Sequence, residues 1–341
     1  MIISCPDNHE EHSCKSLICD TIYKEIIKER TIIMKKYLAI DMGGTAIKYG
    51  VLDEDLNFLE HGKIVAATDS KEALFTEIRK LYQQFGAGTE GVCISMPGVI
   101  DRKKGFAHTG GAYKWVDKMP IATMLSDELG VPVTICNDAK SAALAEIGYG
   151  NMQYITNGIC IILGTGIGGA VIVNGNLVDG THFSSGEFSF LRGHVDDRTN
   201  VKDLFFATNG VQGFKNALEK TTGKKEIDGL AAFKLIKEEH DEAALAGVKE
   251  FCLDLAHHIY NLQAVIDAER VLIGGGISNE PMFIDLVREA VDQVFDHAIF
   301  QVIPKPDVMV CRFQADANLI GAVYNFIELQ DLYEGNQFIN I

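Results

Sequence analysis

The sequence contains no apolar run of the roughly 18 residues that a membrane-spanning helix requires. It is also short of positive charge, because 31 lysines and arginines stand against 47 aspartates and glutamates, a net charge of −16. Nucleic acids and anionic membranes attract basic surfaces, so we expect neither as a partner. The first residues are polar and acidic and contain no uninterrupted apolar segment, which argues against a secretory signal peptide.

The eight cysteines are scattered, and several lie in apolar segments that we predict to be strands: Cys93, Cys136, Cys160 and Cys311. Such positions are typical of buried, reduced thiols, and we therefore expect a cytoplasmic protein. With 341 residues, 47% of them hydrophobic, the chain is long enough for one large or two medium domains with a substantial core.

Residues 1–33 differ from the rest of the chain, because they combine mixed charges with Cys5, Cys14 and Cys19. The spacings of these cysteines match no dependable zinc pattern, so a metal site is the less favoured alternative. We interpret the segment as a flexible extension, or as the result of an upstream start codon, and expect the domain to begin near Met34.

The segment from Asp41 to Lys48 is the most informative of the chain, because it places two glycines between two predicted strands, 37–40 and 47–52. Glycines in a tight hairpin let backbone N–H groups approach an anionic ligand closely. The carboxylate of Asp41 beside them can hold a hydrated Mg²⁺, which prefers oxygen ligands. A single glycine-rich hairpin is nevertheless more often a plain turn than a ligand site.

Two further glycine clusters follow predicted strands, one at residues 163–170 and one at 274–276. The first resembles a dinucleotide fingerprint, but an apolar strand at 170–173 follows it where a dinucleotide-binding fold requires a helix. A dehydrogenase is therefore set aside. Three glycine turns, each at the end of a strand, suggest one split nucleotide site.

The remaining pattern predicts two similar halves, each opened by a hairpin, which suggests an internal duplication. In the first half we predict strands at 62–66, 91–95 and 131–136 and helices at 70–85 and 139–147. In the second half we predict a hairpin at 159–179, helices within 203–266, strands at 270–273 and 307–311, and helices at 281–296 and 316–332.

In this order the motifs resemble the actin-like sugar kinases, and among them the ROK family. The matching segments are DMGGTAIKYGVL (41–52), SMPGVID (95–101), CNDAKSAALAE (136–146), GTGIGGAVIVNG (164–175), GGGIS (274–278) and NLIGAVYNF (318–326). The resemblance implies an α/β fold of two actin-like (ribonuclease H-like) lobes with a nucleotide and sugar cleft between them. It places residues 35–136 and 317–332 in the N-terminal lobe and 137–316 in the C-terminal lobe.

The resemblance also implies an ATP-dependent kinase that uses Mg²⁺, takes a small-molecule sugar as its acceptor and forms a homodimer. Asp41 would hold the Mg²⁺ through water. The residues expected to bind ATP are Asp41, Gly43, Gly44, Thr45, Lys48, Gly164, Thr165, Gly166, Gly168, Gly275 and Gly276.

Asp138 follows a predicted strand and precedes an alanine-rich helix, where an aspartate is ordinarily an N-cap. The resemblance favours a second interpretation, in which Asp138 is the catalytic base that accepts the proton of the attacking hydroxyl. The residues expected to bind the sugar are Asn137, Glu187, Gly98, Gly110 and Gly111.

This chain departs from the common family pattern three residues after Glu187. ROK kinases usually have a histidine there that touches the sugar near its anomeric carbon and ligates a structural zinc with three downstream cysteines. Phe190 occupies that position, no cysteine lies between Cys160 and Cys252, and His194 alone cannot form a closed zinc site. We therefore expect no zinc.

With Phe190 at this position the chain resembles the zinc-free ROK subgroup of bacterial β-glucoside kinases, which phosphorylate the 6-hydroxyl of a non-reducing glucose. Phe188, Phe190 or Trp115 would wall the space for an aglycone, although ordinary core packing explains each equally well. Three alternatives stay open: a kinase for another hexose such as N-acetylmannosamine, a ROK regulator without its DNA-binding domain, and a non-enzymatic actin-like ATPase.

Overall fold

The computed structural model describes residues 34–193 and 201–337. The predicted extension at 1–33 and His194 therefore lie outside the described residues. The described residues from Lys36 onwards form one compact unit. In the part of the chain that the structure describes, no helix is long and apolar enough to cross a membrane.

The strands, numbered along the chain, are β1 (Lys36–Met42), β2 (Ala46–Asp53), β3 (Phe58–Val65), β4 (Val92–Met96), β5 (Ile100–Asp101), β6 (Phe106–Thr109), β7 (Asp117–Met119), β8 (Val133–Asn137), β9 (Gly158–Leu163), β10 (Ile167–Val173), β11 (Asn176–Leu177), β12 (Arg270–Gly274) and β13 (Asp307–Val310). The α-helices are α1 (Lys71–Phe85), α2 (Ile121–Leu129), α3 (Asp138–Tyr149), α4 (Phe205–Asn209), α5 (Val211–Thr222), α6 (Gly229–Glu238), α7 (Glu242–Ile266), α8 (Pro281–Asp296) and α9 (Ala317–Gln337).

Two five-stranded sheets share one topology. The first has the order β3-β2-β1-β4-β8, and the second has the order β11-β10-β9-β12-β13. In each sheet the first strand of an antiparallel hairpin pairs in parallel with a later strand, and that strand pairs in parallel with the next one. This correspondence agrees with the duplication that the sequence suggested.

Helix α1 illustrates how local sequence produces these elements. Its N-cap is Ser70, whose hydroxyl accepts a hydrogen bond from the backbone N–H of Ala73 at 3.1 Å. Leu74, Ile78 and Leu81 recur at helical spacing and are buried against the first sheet. The helix predicted at 70–85 therefore forms one residue later than expected.

A small antiparallel sheet of β5, β6 and β7 was missed by the sequence analysis. Its strands are two to four residues long, too short to show alternation of apolar and polar residues. Helix α2 was missed as well. The small sheet follows Gly98 and leads into Gly110 and Gly111, three of the predicted sugar-binding residues.

Helices α3 and α9 cross at very close range. A Cβ atom on Gly321 would lie 1.6 Å from the backbone oxygen of Ser141, so only glycine allows this approach. The buried carboxylate of Glu146 near the end of α3 accepts hydrogen bonds from the backbone N–H groups of Arg312 (2.6 Å) and Asn151 (2.8 Å). Helix α3 is therefore anchored at both ends, at its start by the capping described below.

Candidate active site

Asp41 is held rigidly at the end of β1. Its Oδ1 atom accepts hydrogen bonds from the hydroxyl of Ser95 (3.1 Å) and from the side-chain amide of Asn318 (3.0 Å). The Nζ atom of Lys48 lies 3.9 Å from Oδ2 and donates to the backbone oxygen of Ala315 at 3.0 Å. One carboxylate oxygen is thus fixed by two hydrogen-bond donors, while the other lies near Lys48.

The first glycine turn is shaped by its backbone and by Tyr113. The N–H of Gly43 donates to the oxygen of Ala46 at 3.1 Å, and a Cβ on Gly43 would lie 2.7 Å from that oxygen. The hydroxyl of Tyr113 donates to the backbone oxygen of Gly43 at 3.0 Å. The loop that carries Gly110 and Gly111 therefore contacts the predicted phosphate-binding turn.

The second and third glycine turns meet at one cavity of about 850 Å³, a size that suits a nucleotide. Gly164, Thr165 and Gly276 line one end of the cavity, and the other walls come from helices α5, α6 and α7. Gly275 has φ +96°, and a Cβ there would lie 1.9 Å from the oxygen of Leu163. This contact fixes the two turns against each other.

Two predicted nucleotide ligands have a packing role as well. A Cβ on Gly168 would lie 2.8 Å from the Cβ of Ala139, so the absence of a side chain lets β10 approach the start of α3. A Cβ on Gly44 would lie 3.3 Å from the Cβ of Ala112. These glycines bring the predicted catalytic and phosphate-binding segments close together.

Asn137 and Asp138 stand at the junction of β8 and α3. The Oδ1 atom of Asn137 accepts a hydrogen bond from the N–H of Lys140 at 3.1 Å, and its Nδ2 atom donates to the oxygen of Gly98 at 3.0 Å. Asn137 is therefore the N-cap of α3. The Oδ1 atom of Asp138 accepts a hydrogen bond from the N–H of Ala139 at 2.8 Å.

Two carboxylates of the predicted site act on a third, that of Asp138. Burial raises the pKa of Asp138 to about 6, and the negative charges of Asp41 and Glu187 add to the increase. Burial also raises the pKa of Glu187, and the charge of Lys140 opposes this increase. The structure therefore brings together the nucleotide-side carboxylate, the proposed base and the proposed sugar ligand.

The three aromatic residues that could wall an aglycone site have different environments. Phe188 is buried in the core of the second sheet, and the Nε1 atom of Trp115 donates to the backbone oxygen of Thr68 at 3.1 Å. For these two residues the packing interpretation holds. Phe190, in contrast, leaves 66% of its surface exposed.

No group of three or more His, Cys, Asp or Glu side chains within 34–193 and 201–337 is placed to hold a metal ion. Mg²⁺ does not need three protein side chains, because it usually binds to one or two carboxylates, retains several waters and takes substrate phosphates as further ligands. Asp41, with one oxygen oriented by two donors, fits that limited role.

Several residues that shape the site escaped the sequence analysis. They are Ser95, Arg102, Tyr113, Lys140, Asp179 and Asn318. Each of them acts through a partner distant in the sequence, as Asn318 does with Asp41 across 277 positions. Ser95, Lys140 and Asn318 stood in segments that the sequence analysis had marked, at 95–101, 136–146 and 318–326, but their contacts could not be read from those segments.

Comparison with known proteins agrees with this geometry. The chain matches the ROK family over residues 37–328. It is 30% identical over 311 residues to a β-glucoside kinase of Listeria innocua, with 88% of this chain and 100% of that protein covered. A β-glucoside kinase of Klebsiella pneumoniae is 31% identical over 306 residues, with 86% and 97% covered.

Structural comparison gives the fold directly. A ROK family protein of Streptococcus pneumoniae, solved in complex with sucrose, superposes with a TM-score of 0.77 at 26% identity, covering 87% of this chain and 99% of that one. The predicted fold class, an α/β protein with two actin-like lobes, is confirmed. The chain belongs to the ROK family and is a sugar kinase.

Proposed function

We propose that this kinase transfers the γ-phosphoryl group of ATP to the 6-hydroxyl of glucose, or of the non-reducing glucose of a β-glucoside. The observation that carries the choice of acceptor is the exposed ring of Phe190, three residues after Glu187. A phenyl ring there cannot hydrogen-bond a free anomeric hydroxyl, but it offers an apolar surface to an aglycone. The two β-glucoside kinase relatives support the same acceptor.

Asp138 is the catalytic base in this proposal. A general base works best when its pKa lies near the operating pH, and the pKa of about 6 meets this condition. Asn137 caps the helix, so the carboxylate of Asp138, which accepts a hydrogen bond from the backbone N–H of Ala139, is not needed as the cap. In this proposal that carboxylate orients the attacking hydroxyl. Glu187 and the Gly98 turn, which Asn137 contacts, hold the acceptor.

The nucleotide occupies the 850 Å³ cavity, which Gly164 and Thr165 line. In this proposal its phosphates also reach the Gly43–Gly44 turn. Backbone N–H groups of these turns bind and orient the phosphate oxygens. Asp41 together with water would hold Mg²⁺, which when bound neutralises charge on the transferring phosphoryl group.

The proposal includes a cytoplasmic homodimer that binds neither nucleic acid nor membranes. Sugar-dependent ATP consumption by the purified protein tests the function. We expect ADP to form at a rate that depends on added glucose or cellobiose. ATP hydrolysis that is independent of every sugar tried would contradict the proposal, and light scattering would report the number of subunits.

A further inference from the structure

A buried guanidinium connects three segments of the chain around the proposed acceptor side of the site. Arg102, which follows directly after β5, is 6% exposed, and its Nε atom lies 3.2 Å from both carboxylate oxygens of Asp179. Its Nη1 atom donates to the side-chain oxygen of Asn325 at 3.1 Å and to the carboxylate of Glu328. Asp179 opens the loop that ends at Glu187, whereas Glu328 lies on helix α9.

Lys140 supports the same loop from helix α3. Lys140 is buried, with 3% of its surface exposed. Its Nζ atom donates hydrogen bonds to the backbone oxygens of Asp179 (3.2 Å) and Phe183 (3.0 Å). Burial lowers the pKa of Lys140 below its ordinary value, and the negative charges of Asp179 and Glu187 offset part of this decrease. Two buried cations thus fasten the loop, and the charge of Lys140 also acts on the carboxylate of Glu187.

The loop adopts a conformation that needs such fastening. Gly180, Phe183 and Gly186 all have positive φ, at +79°, +61° and +87°. For a phenylalanine this backbone region is strained, and it persists only where surrounding contacts impose it. The ring of Phe183 stacks on His108 of β6 with centroids 5.2 Å apart, which gives the loop a further contact with the small sheet.

We propose that Arg102 is a positioning residue, which holds Glu187 in place for the acceptor sugar through its ion pair with Asp179. The proposal rests on the proposed function of Glu187 as a sugar ligand. Arg102 itself touches neither substrate nor nucleotide in this scheme. Its effect passes through the loop of residues 179–187, whose two ends are Asp179 and Glu187.

The chain offers a matched pair of variants. Asp179→Asn and Glu328→Gln each remove one carboxylate from the same guanidinium, but only Asp179 lies on the loop that carries Glu187. We expect Asp179→Asn to raise the acceptor KM roughly tenfold, with the KM for ATP nearly unchanged, because a tenfold change is the scale of one lost polar contact. Glu328→Gln should change the acceptor KM by less than about twofold.

Melting temperatures of both variants serve as the stability control. If the two variants raise the acceptor KM equally, or if Asp179→Asn leaves it unchanged, the network only stabilises the fold and the proposal is overturned. Should Asp179→Asn fail to fold, Arg102→Lys replaces it. Lysine keeps the charge but cannot reach all three partners, so we expect an intermediate rise in acceptor KM, and an unchanged KM would overturn the proposal.

Glu187→Gln separates this inference from the proposed function. If Glu187→Gln leaves the acceptor KM unchanged, the assignment of Glu187 as a sugar ligand fails, whatever Asp179 does. If Glu187→Gln raises the acceptor KM and Asp179→Asn does not, only the positioning role of Arg102 fails. The acceptor in each case is whichever sugar the wild-type enzyme phosphorylates.

Discussion

Asn137 accepts a hydrogen bond from the backbone N–H of Lys140, and this bond makes Asn137, rather than the neighbouring Asp138, the N-cap of helix α3. The capping function that could have explained an aspartate at this position is therefore filled by the preceding residue. Asp138 is the first residue of the helix, and burial together with two nearby carboxylates raises its pKa to about 6. When ionised, such a buried carboxylate lowers the free energy of unfolding, and a residue that destabilises the fold in this way more often has a chemical role.

Asp138→Asn should fold normally and lose turnover by a factor of ~10²–10⁴, the usual cost of losing a general base. The amide oxygen can still accept the hydrogen bond from Ala139, so the start of the helix is preserved. Steady-state kinetics with saturating ATP and sugar measure the loss. A variant with turnover near that of the wild type would show that Asp138 is not the base.

The pH dependence of the wild-type enzyme follows from the direction of the pKa shift. Asp138 is active when deprotonated, so kcat/KM for the sugar should fall as the pH drops through about 6.

The raised pKa of Asp138 also affects stability. Because the pKa lies above the ordinary value of 3.8, ionised Asp138 destabilises the fold at pH above the shifted pKa. Asp138→Asn should therefore melt at a higher temperature than the wild type at neutral pH, and this advantage should vanish in acid.

Gly275→Ala and Gly276→Ala form a matched pair at the third glycine turn. Gly275 has φ +96° and no room for a Cβ, whereas a Cβ on Gly276 would meet nothing within 4 Å. We expect Gly275→Ala to cost about 1–3 kcal/mol of unfolding free energy and to raise the KM for ATP. Denaturant unfolding measures the difference, and equal stability of the two variants would contradict the geometry.

The purified enzyme should contain well below one zinc per chain, and chelators should leave its melting temperature unchanged. Phe190 stands where the common family pattern has a zinc-binding histidine, and no cysteine lies between Cys160 and Cys252. Elemental analysis of protein never exposed to added metal is the appropriate measurement. A stoichiometric zinc that resists dialysis would refute the expectation.

What could be predicted from the sequence depended on local pattern. The strands that flank the glycine turns, the helix after Ser70 and the Asn137–Asp138 pair are specified within a few consecutive residues. The family resemblance implied the fold class of two actin-like lobes. The division into lobes at residue 137 and the roles of the site residues stay predictions.

What could not be predicted depended on contacts between distant positions. From the sequence, Arg102 would be expected on the surface. In the structure it forms ion pairs with Asp179, 77 residues away in the sequence, and with Glu328, 226 residues away. The strands of the small sheet are too short to show periodicity. The position of the small sheet beside the loop of residues 179–187 became evident only from the stacking of His108 on Phe183.

The acceptor is the central claim, and the ratio of kcat/KM for cellobiose to that for glucose tests it most directly. The loss of a hydrogen bond at the anomeric carbon weakens the binding of free glucose, while the exposed ring of Phe190 favours an aglycone. We expect cellobiose to be used at least as efficiently as glucose, with the phosphate on the 6-hydroxyl of the non-reducing ring. A clear preference for free glucose, N-acetylmannosamine or another monosaccharide would contradict the β-glucoside assignment.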